Sequence, residues 1–229
     1  DYDSAVARRF AGMEESSLSL NWTQVEIPFP SEAGETAGAD EGSGVVPYLE
    51  VIDQYWIAYD SGNNKDGGYA WENGLSEMMA YSSGVGYALK DLDGNGVQEL
   101  LIEVMGTEDF SNQNLYALYT LVDGEPVNVA TSSARMRYYL LDDNTILYEG
   151  SGGASYTYIT VQRLAGSALE DVNMIFTNME TAADGSFYTG YYYQEGHSDE
   201  LPSEKSVMIS AEEFDARLQQ LENRICVPE

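Results

Sequence analysis

The apolar positions of the chain change period twice. Between residues 46 and 59, Val46, Leu49, Ile52, Trp56 and Tyr59 recur at helical spacing, and Pro47 stands where a first turn tolerates proline, which predicts a helix over 46–59. From Val85 onward the pattern becomes short runs rich in β-branched and aromatic residues, divided by turn pairs. Asp123-Gly124 separates LYALYTLV from PVNVA, Asp143-Asn144 separates MRYYLL from TILYEG, and Asp184-Gly185 separates VNMIFTNM from SFYTGYYY. Each reads as a hairpin, because turns this short leave no room for the crossover that parallel pairing needs. Residues 85–89 and 100–105 are likewise predicted to pair antiparallel, with the polar stretch KDLDGNGVQEL at their turn.

The tail returns to helical period. Ser210 is placed to cap it, Glu213 to complete a capping box and Ile209 to face Phe214 as a hydrophobic staple, with Phe214, Leu218, Leu221 and Ile225 as the buried stripe. The first 29 residues are ambiguous: Ala5 to Met13 suit a short helix, and Leu18 to Phe29 alternate like a bent strand. Residues 30–44, PSEAGETAGADEGSG, have no large apolar side chain to offset chain entropy and read as a linker. SGNNKDGGYAWENG reads as a loop and Leu75 to Met79 as a short helical piece. The expected organisation is an N-terminal segment and acidic linker over 1–45, then one α+β domain over 46–229. That domain has an N-terminal helix, an antiparallel β-meander and a C-terminal helix.

Composition narrows the function. The chain has 229 residues, 43% of them hydrophobic, enough for a sizeable core. Asp and Glu number 39 against 10 Lys and Arg, a formal charge of -29 that repels nucleic acid and anionic lipid. A single cysteine, Cys226, leaves no internal disulfide and no thiolate zinc site. No apolar run approaches the roughly 18 residues of a membrane span, and the chain opens on Asp1 without an initiator Met, which predicts the loss of a preceding segment.

The stretch KDLDGNGVQEL carries the chemistry. Counting from Asp91, side-chain oxygens fall at positions one, three and five from Asp91, Asp93 and Asn95; Gly96 allows the sharp turn, Val97 offers a carbonyl and Glu99 follows at nine. Hard oxygen ligands at this spacing suit Ca²⁺ over zinc or copper, and the ion is expected to be a structural staple. A metal-free Asx turn would use the same residue types. An EF-hand proper is excluded, because Ile102 occupies position twelve and both flanks read as strands. The loop resembles the DxDxDGxxD calcium loops between strands in integrin-type FG-GAP repeats, with Asn95 and Glu99 as departures.

A wider resemblance runs from about residue 46 to 225. PYLEVIDQYW, GLSEMMA, GYALKDLDGNGVQELLI, YYLLDDNTILYEGSGGASYTYITVQRL and ISAEEFDARLQQL together resemble a group of exported, often lipid-anchored proteins of gut Firmicutes. The resemblance implies an extracellular or cell-surface location, behind a signal peptide or lipobox cysteine, and implies no activity.

Other chemistry is weaker. His197 is the lone histidine, so a nucleophilic triad would have to combine it with Ser151, Ser198 or Cys226, and no local motif supports that. The glycines of Glu149-Gly150-Ser151-Gly152-Gly153-Ala154 lack a following Lys-Ser/Thr and read as a bulge or tight hairpin. In FYTGYYY, alternation puts Phe187, Tyr191 and Tyr193 on one face and Tyr188 and Tyr192 on the other; one face is expected in the core, and the other, through Tyr188 and Tyr192, is a candidate platform for a glycan or surface protein. The expected function is a non-enzymatic, calcium-stapled surface module that binds a glycan, cell-wall polymer or protein. The alternative is an exported hydrolase using paired carboxylates.

Overall fold

A computed structural model of the chain describes residues 23–24, 45–60, 84–105, 114–133, 135–153 and 155–226. They are α+β: antiparallel strands, one helix near the N-terminus and one at the C-terminus. They fall into two compact units that divide after Ser133. The expected linker over 30–44 and the helical piece at Leu75 to Met79 lie outside the described residues. So does most of the first 29, of which only Thr23–Gln24 is described, as a short strand.

In the first unit Pro47 opens a 3-10 turn, Val46–Tyr48, closed by Tyr48 N donating to the Val45 carbonyl (2.8 Å). The α-helix α1, Leu49–Asp60, follows directly. Its buried stripe differs from the expected one. Tyr48, Val51, Ile52 and Tyr55 are buried, whereas Val46 is exposed and Leu49 only half-buried. Tyrosines take the core positions because their polar ends find partners. The Tyr55 and Tyr119 hydroxyls hydrogen-bond at 2.9 Å, and the Tyr55 ring meets Tyr116 and Tyr119 edge-on. With Leu100, Ile102 and Ala117 these side chains form the core of the unit.

The strands of this unit run in the spatial order β1 (Thr23–Gln24), β2 (Gly84–Lys90), β3 (Glu99–Met105), β4 (Leu115–Val122) and β5 (Glu125–Thr131), each antiparallel to its neighbour. The expected pairing around the acidic loop is present, in register from Gly84 opposite Met105 to Lys90 opposite Glu99. At the Asp123-Gly124 turn both residues have positive φ (54° and 85°), the primed geometry that matches the twist of a tight hairpin.

The second unit is a meander of β6 (Met136–Leu140), β7 (Ile146–Gly153), β8 (Tyr156–Ala165), β9 (Ala168–Thr181), β10 (Phe187–Glu195) and β11 (Val207–Ile209). The hairpins expected at Asp143-Asn144 and Asp184-Gly185 are both formed. Of the glycine run, residues 149–153 end β7 against β8, with a register shift between Ser151 and Gly153. A further hairpin turns at Gly166-Ser167, joining β8 to β9, and β11 adds a short edge strand; neither was expected.

Helix α2, Ala211–Glu222, starts where expected, with the Ser210 side chain accepting from Glu213 N (3.1 Å). The Glu213 carboxylate turns to Arg217 instead of closing the box (2.9 Å). Phe214 and Leu218 are buried, and Phe214 packs on the Tyr191 ring. Ile225 lies past the helix end, in a bridge with Leu141. Among the described residues no helix is long and apolar enough to cross a membrane.

Candidate metal centre and aromatic strand

Lys90 and Glu99 are paired across β2 and β3, so the eight residues between them must reverse the chain. Gly94 and Gly96 do so with φ of 76° and 87°, a conformation that L side chains rarely adopt. The loop is wound around its own carboxylates. Asp91 accepts from Gly94 N through Oδ1 (2.7 Å) and from Gly96 N through Oδ2 (2.9 Å). Asp93 accepts from the backbone and side-chain nitrogens of Asn95 (3.1 and 3.0 Å). The Asn95 carbonyl Oδ1 accepts from Val97 N (2.6 Å), so this side chain serves the loop backbone. These are Asx turns, the local bonds for which short polar side chains are suited.

Two anchors fasten the loop to the core. Leu92 is buried, and Tyr48 at the start of the helical segment donates to the Gln98 carbonyl (2.8 Å). Glu99 is fully buried, its Oε2 accepting from Leu92 N (2.8 Å) and its Oε1 from the Thr120 hydroxyl on β4 (3.0 Å). Burial raises the Glu99 carboxyl above its ordinary value, against the lowering effect of those two bonds, and the charges of Asp93 and Asp91 push the same way as burial.

One carboxylate oxygen from each of Asp91, Asp93 and Glu99 lies within 4.8 Å of the others, a group that can hold a metal ion. Of the five expected ligands, the structure brings these three together. Thr120 and Tyr48, which hold the third carboxylate and the end of the loop, carried no sequence signal, since they are distant along the chain and become neighbours only through sheet pairing and core packing.

The aromatic strand corrects one expectation. Tyr192, proposed with Tyr188 as an exposed platform, is only 6% exposed; its ring stacks on Phe176 (5.1 Å) and its hydroxyl donates to Glu180 Oε1 (2.6 Å). It forms a small core with Met174 and Phe176. Tyr188, on the same face, is 47% exposed. The opposite face carries α2, with Tyr191 against Phe214 and the Arg217 guanidinium 4.3 Å above the Tyr193 ring. No platform formed by Tyr188 and Tyr192 together exists, because the second ring is covered.

His197 lies between two carboxylates, with Nδ1 at 2.8 Å from Asp171 and Nε2 at 3.2 Å from Asp199. Hydrogen bonds to Asp171 and then Asp199 raise its basicity, and both ring nitrogens are engaged. No protein-family model, curated protein or solved structure matches this chain.

Proposed function

We propose that this chain is a non-enzymatic, extracytoplasmic surface module in which the β2–β3 turn holds one Ca²⁺ ion as a structural staple. The observation that supports it is the convergence of Asp91, Asp93 and Glu99 on one point of a tight hairpin. Buried Glu99 is the decisive member, because an ion offsets the cost of a charge that burial otherwise opposes. An all-oxygen set excludes a preference for soft metals, and a loop of this size suits the flexible coordination of Ca²⁺ over the strict octahedron of Mg²⁺. Affinity is expected near that of extracellular calcium modules, on the order of 10⁻⁴ M, since position twelve is Ile102 and Asn95 adds no charge. The surface location follows from the resemblance to exported, lipid-anchored proteins, and the role of the module is to present a binding face for a glycan, cell-wall polymer or protein.

Thermal melts in calcium and in chelator test the staple. At a hundredfold excess over Kd the ion adds about 2.7 kcal/mol, enough to raise Tm by several degrees. Asp93→Ala is expected to abolish that difference while keeping the far-ultraviolet spectrum. Identical wild-type melts with and without calcium, together with no heat on calorimetric titration, remove the site.

A further inference from the structure

On one face of the second unit the meander forms a cleft of about 790 Å³, within the 300–1,000 Å³ range of small-molecule sites. Its walls include Tyr148 on β7, Tyr158 and Gln162 on β8, Asp171 on β9, and His197 and Leu201 from the segment after β10. We infer that this cleft binds a neutral saccharide, with Tyr148 and Tyr158 as its stacking surfaces and Gln162 and Asp171 as partners for hydroxyl groups. The inference rests on the reading of the chain as a binding module and names the site and the ligand class.

The polar part of the lining is held in place by its own hydrogen bonds. Gln162 Nε2 donates to Asp171 Oδ1 (2.8 Å), and a carboxylate only accepts, so the amide orientation is fixed by chemistry. That orientation turns Gln162 Oε1 away, where it is buried and has no hydrogen-bond partner. Gln162 Nε2, bonded through one hydrogen to Asp171, keeps a second with which to meet a ligand hydroxyl. The remaining Asp171 oxygen faces His197 Nδ1, and the Asp171 side chain is 12% exposed, so the acid is held from two sides.

The tyrosines are held by the same strand geometry. Tyr148 lies along β7 over Gly150, where an added Cβ would run into the Tyr148 hydroxyl and ring. Gly150 is opposite Tyr158 on β8, and Tyr148 is opposite Tyr138, whose ring lies 5.2 Å away. Aromatic faces beside an amide and a carboxylate suit a sugar ring, which has an apolar C–H face and an edge of hydroxyls that both donate and accept.

Charge decides between ligand classes. Asp171 and the adjacent Glu170 line the cleft, and His197 already stands between two carboxylates, so an anionic ligand meets two lining acids against one lysine at the rim, Lys205, which donates to the His197 carbonyl (3.4 Å). A purely apolar ligand would cover the Gln162 amide and the Asp171 carboxylate and give neither a new partner. A neutral polyol satisfies both conditions.

The test is calorimetric titration of the whole chain with neutral gluco-, manno-, xylo- and N-acetylglucosamine hexasaccharides, and with polygalacturonate as the acidic comparison. At least one neutral hexasaccharide is expected to bind, with affinity reduced about tenfold or more by Tyr158→Ala and by Gln162→Leu, and unchanged by Tyr188→Ala. Thermal melts of each variant verify folding, and Tyr158→Phe, which keeps the ring, is expected to keep most of the binding. Binding that survives both cleft variants, or is lost at Tyr188→Ala instead, overturns the cleft but leaves the module reading standing. No binding by any neutral saccharide, or preference for polygalacturonate, overturns the inference. Release of shorter saccharides on incubation would keep the cleft and remove the non-enzymatic reading, and the calcium melts test the staple independently of all these outcomes.

Discussion

In β3, opposite Gly86 and near Leu115, Glu103 places a carboxyl group in the core with Oε1 buried and without a partner. Burial pushes this carboxyl well above the ordinary value of 4.5, so folding favours its neutral form. An acid whose folded value is raised favours the fold fully below its unfolded value, and that contribution is lost as pH rises toward the folded one. Glu103→Gln keeps the shape and removes the titration. The variant should match the wild type near pH 4 and exceed it at pH 7, the gap growing by roughly 1.4 kcal/mol per pH unit until the folded group ionises. Denaturant midpoints across that range measure it, and a constant gap would show that Glu103 does not titrate differently on folding. The sequence hid this residue because Leu100, Leu101 and Ile102 beside it are all buried, so β3 is covered on both faces and alternation no longer tells inside from outside. The acidic loop was legible for the opposite reason. Asp91, Asp93 and Glu99 act within one turn, where spacing alone brings oxygens together, while Thr120 reaches Glu99 only after β4 has paired with β3.

At the scale of elements, the strands of the second unit use a device that spacing could have revealed. Tyr148 precedes Gly150 by two residues and Tyr192 follows Gly190 by two, which puts ring and glycine on one face of a strand, the ring lying over the bare backbone. Added Cβ atoms at both glycines would meet these rings, at 2.8 Å from the Tyr192 ring in the case of Gly190. The two sites differ in what holds the ring. Tyr192 is tied to Glu180 and stacked on Phe176, and the Glu180 side chain itself lies 2.9 Å from the added atom, whereas Tyr148 borders an open cleft. Gly190→Ala should therefore cost about 2–3 kcal/mol and Gly150→Ala about 1 kcal/mol, since overpacking is costly where neighbours cannot move. Equal losses in urea unfolding would show that the cleft wall is as rigid as the core. Hairpins at Asp-Gly and Asp-Asn pairs and the Ser210 cap were legible because each is decided by two to four adjacent residues. The α1 stripe was misread at Val46 and Leu49 because Tyr48 and Tyr55 were left out of it, and these tyrosines enter the core with their hydroxyls satisfied. The turn at Gly166-Ser167 was missed because its flanks, QRLA and ALED, are too polar to read as strands, though they pair from Gln162 to Asp171 and from Arg163 to Glu170.

For the whole molecule, a formal charge of -29 sets the background against which any cation acts. Self-repulsion of this size opposes the compact state, so simple salt should raise stability by screening, and calcium at low ionic strength would do the same without a site. The two effects separate by their concentration dependence and their location. Screening grows smoothly with ionic strength and is nearly exhausted at about 0.5 M NaCl, where the Debye length is only about 4–5 Å. Binding saturates on the millimolar scale if the affinity is on the order of 10⁻⁴ M, and it persists in high salt, weakened but still specific. Tm is expected to rise as NaCl goes from 10 mM to 0.5 M in the wild type and in Asp93→Ala alike, because removing one charge in 39 acidic groups leaves the background nearly intact. At 0.5 M NaCl, a further saturable rise on adding 10 mM CaCl₂ is expected in the wild type and absent in Asp93→Ala, with MgCl₂ at equal ionic strength giving a smaller rise. A calcium increment that vanishes in high salt, or that Asp93→Ala retains, would assign the stabilisation to the acidic surface as a whole and not to the β2–β3 turn.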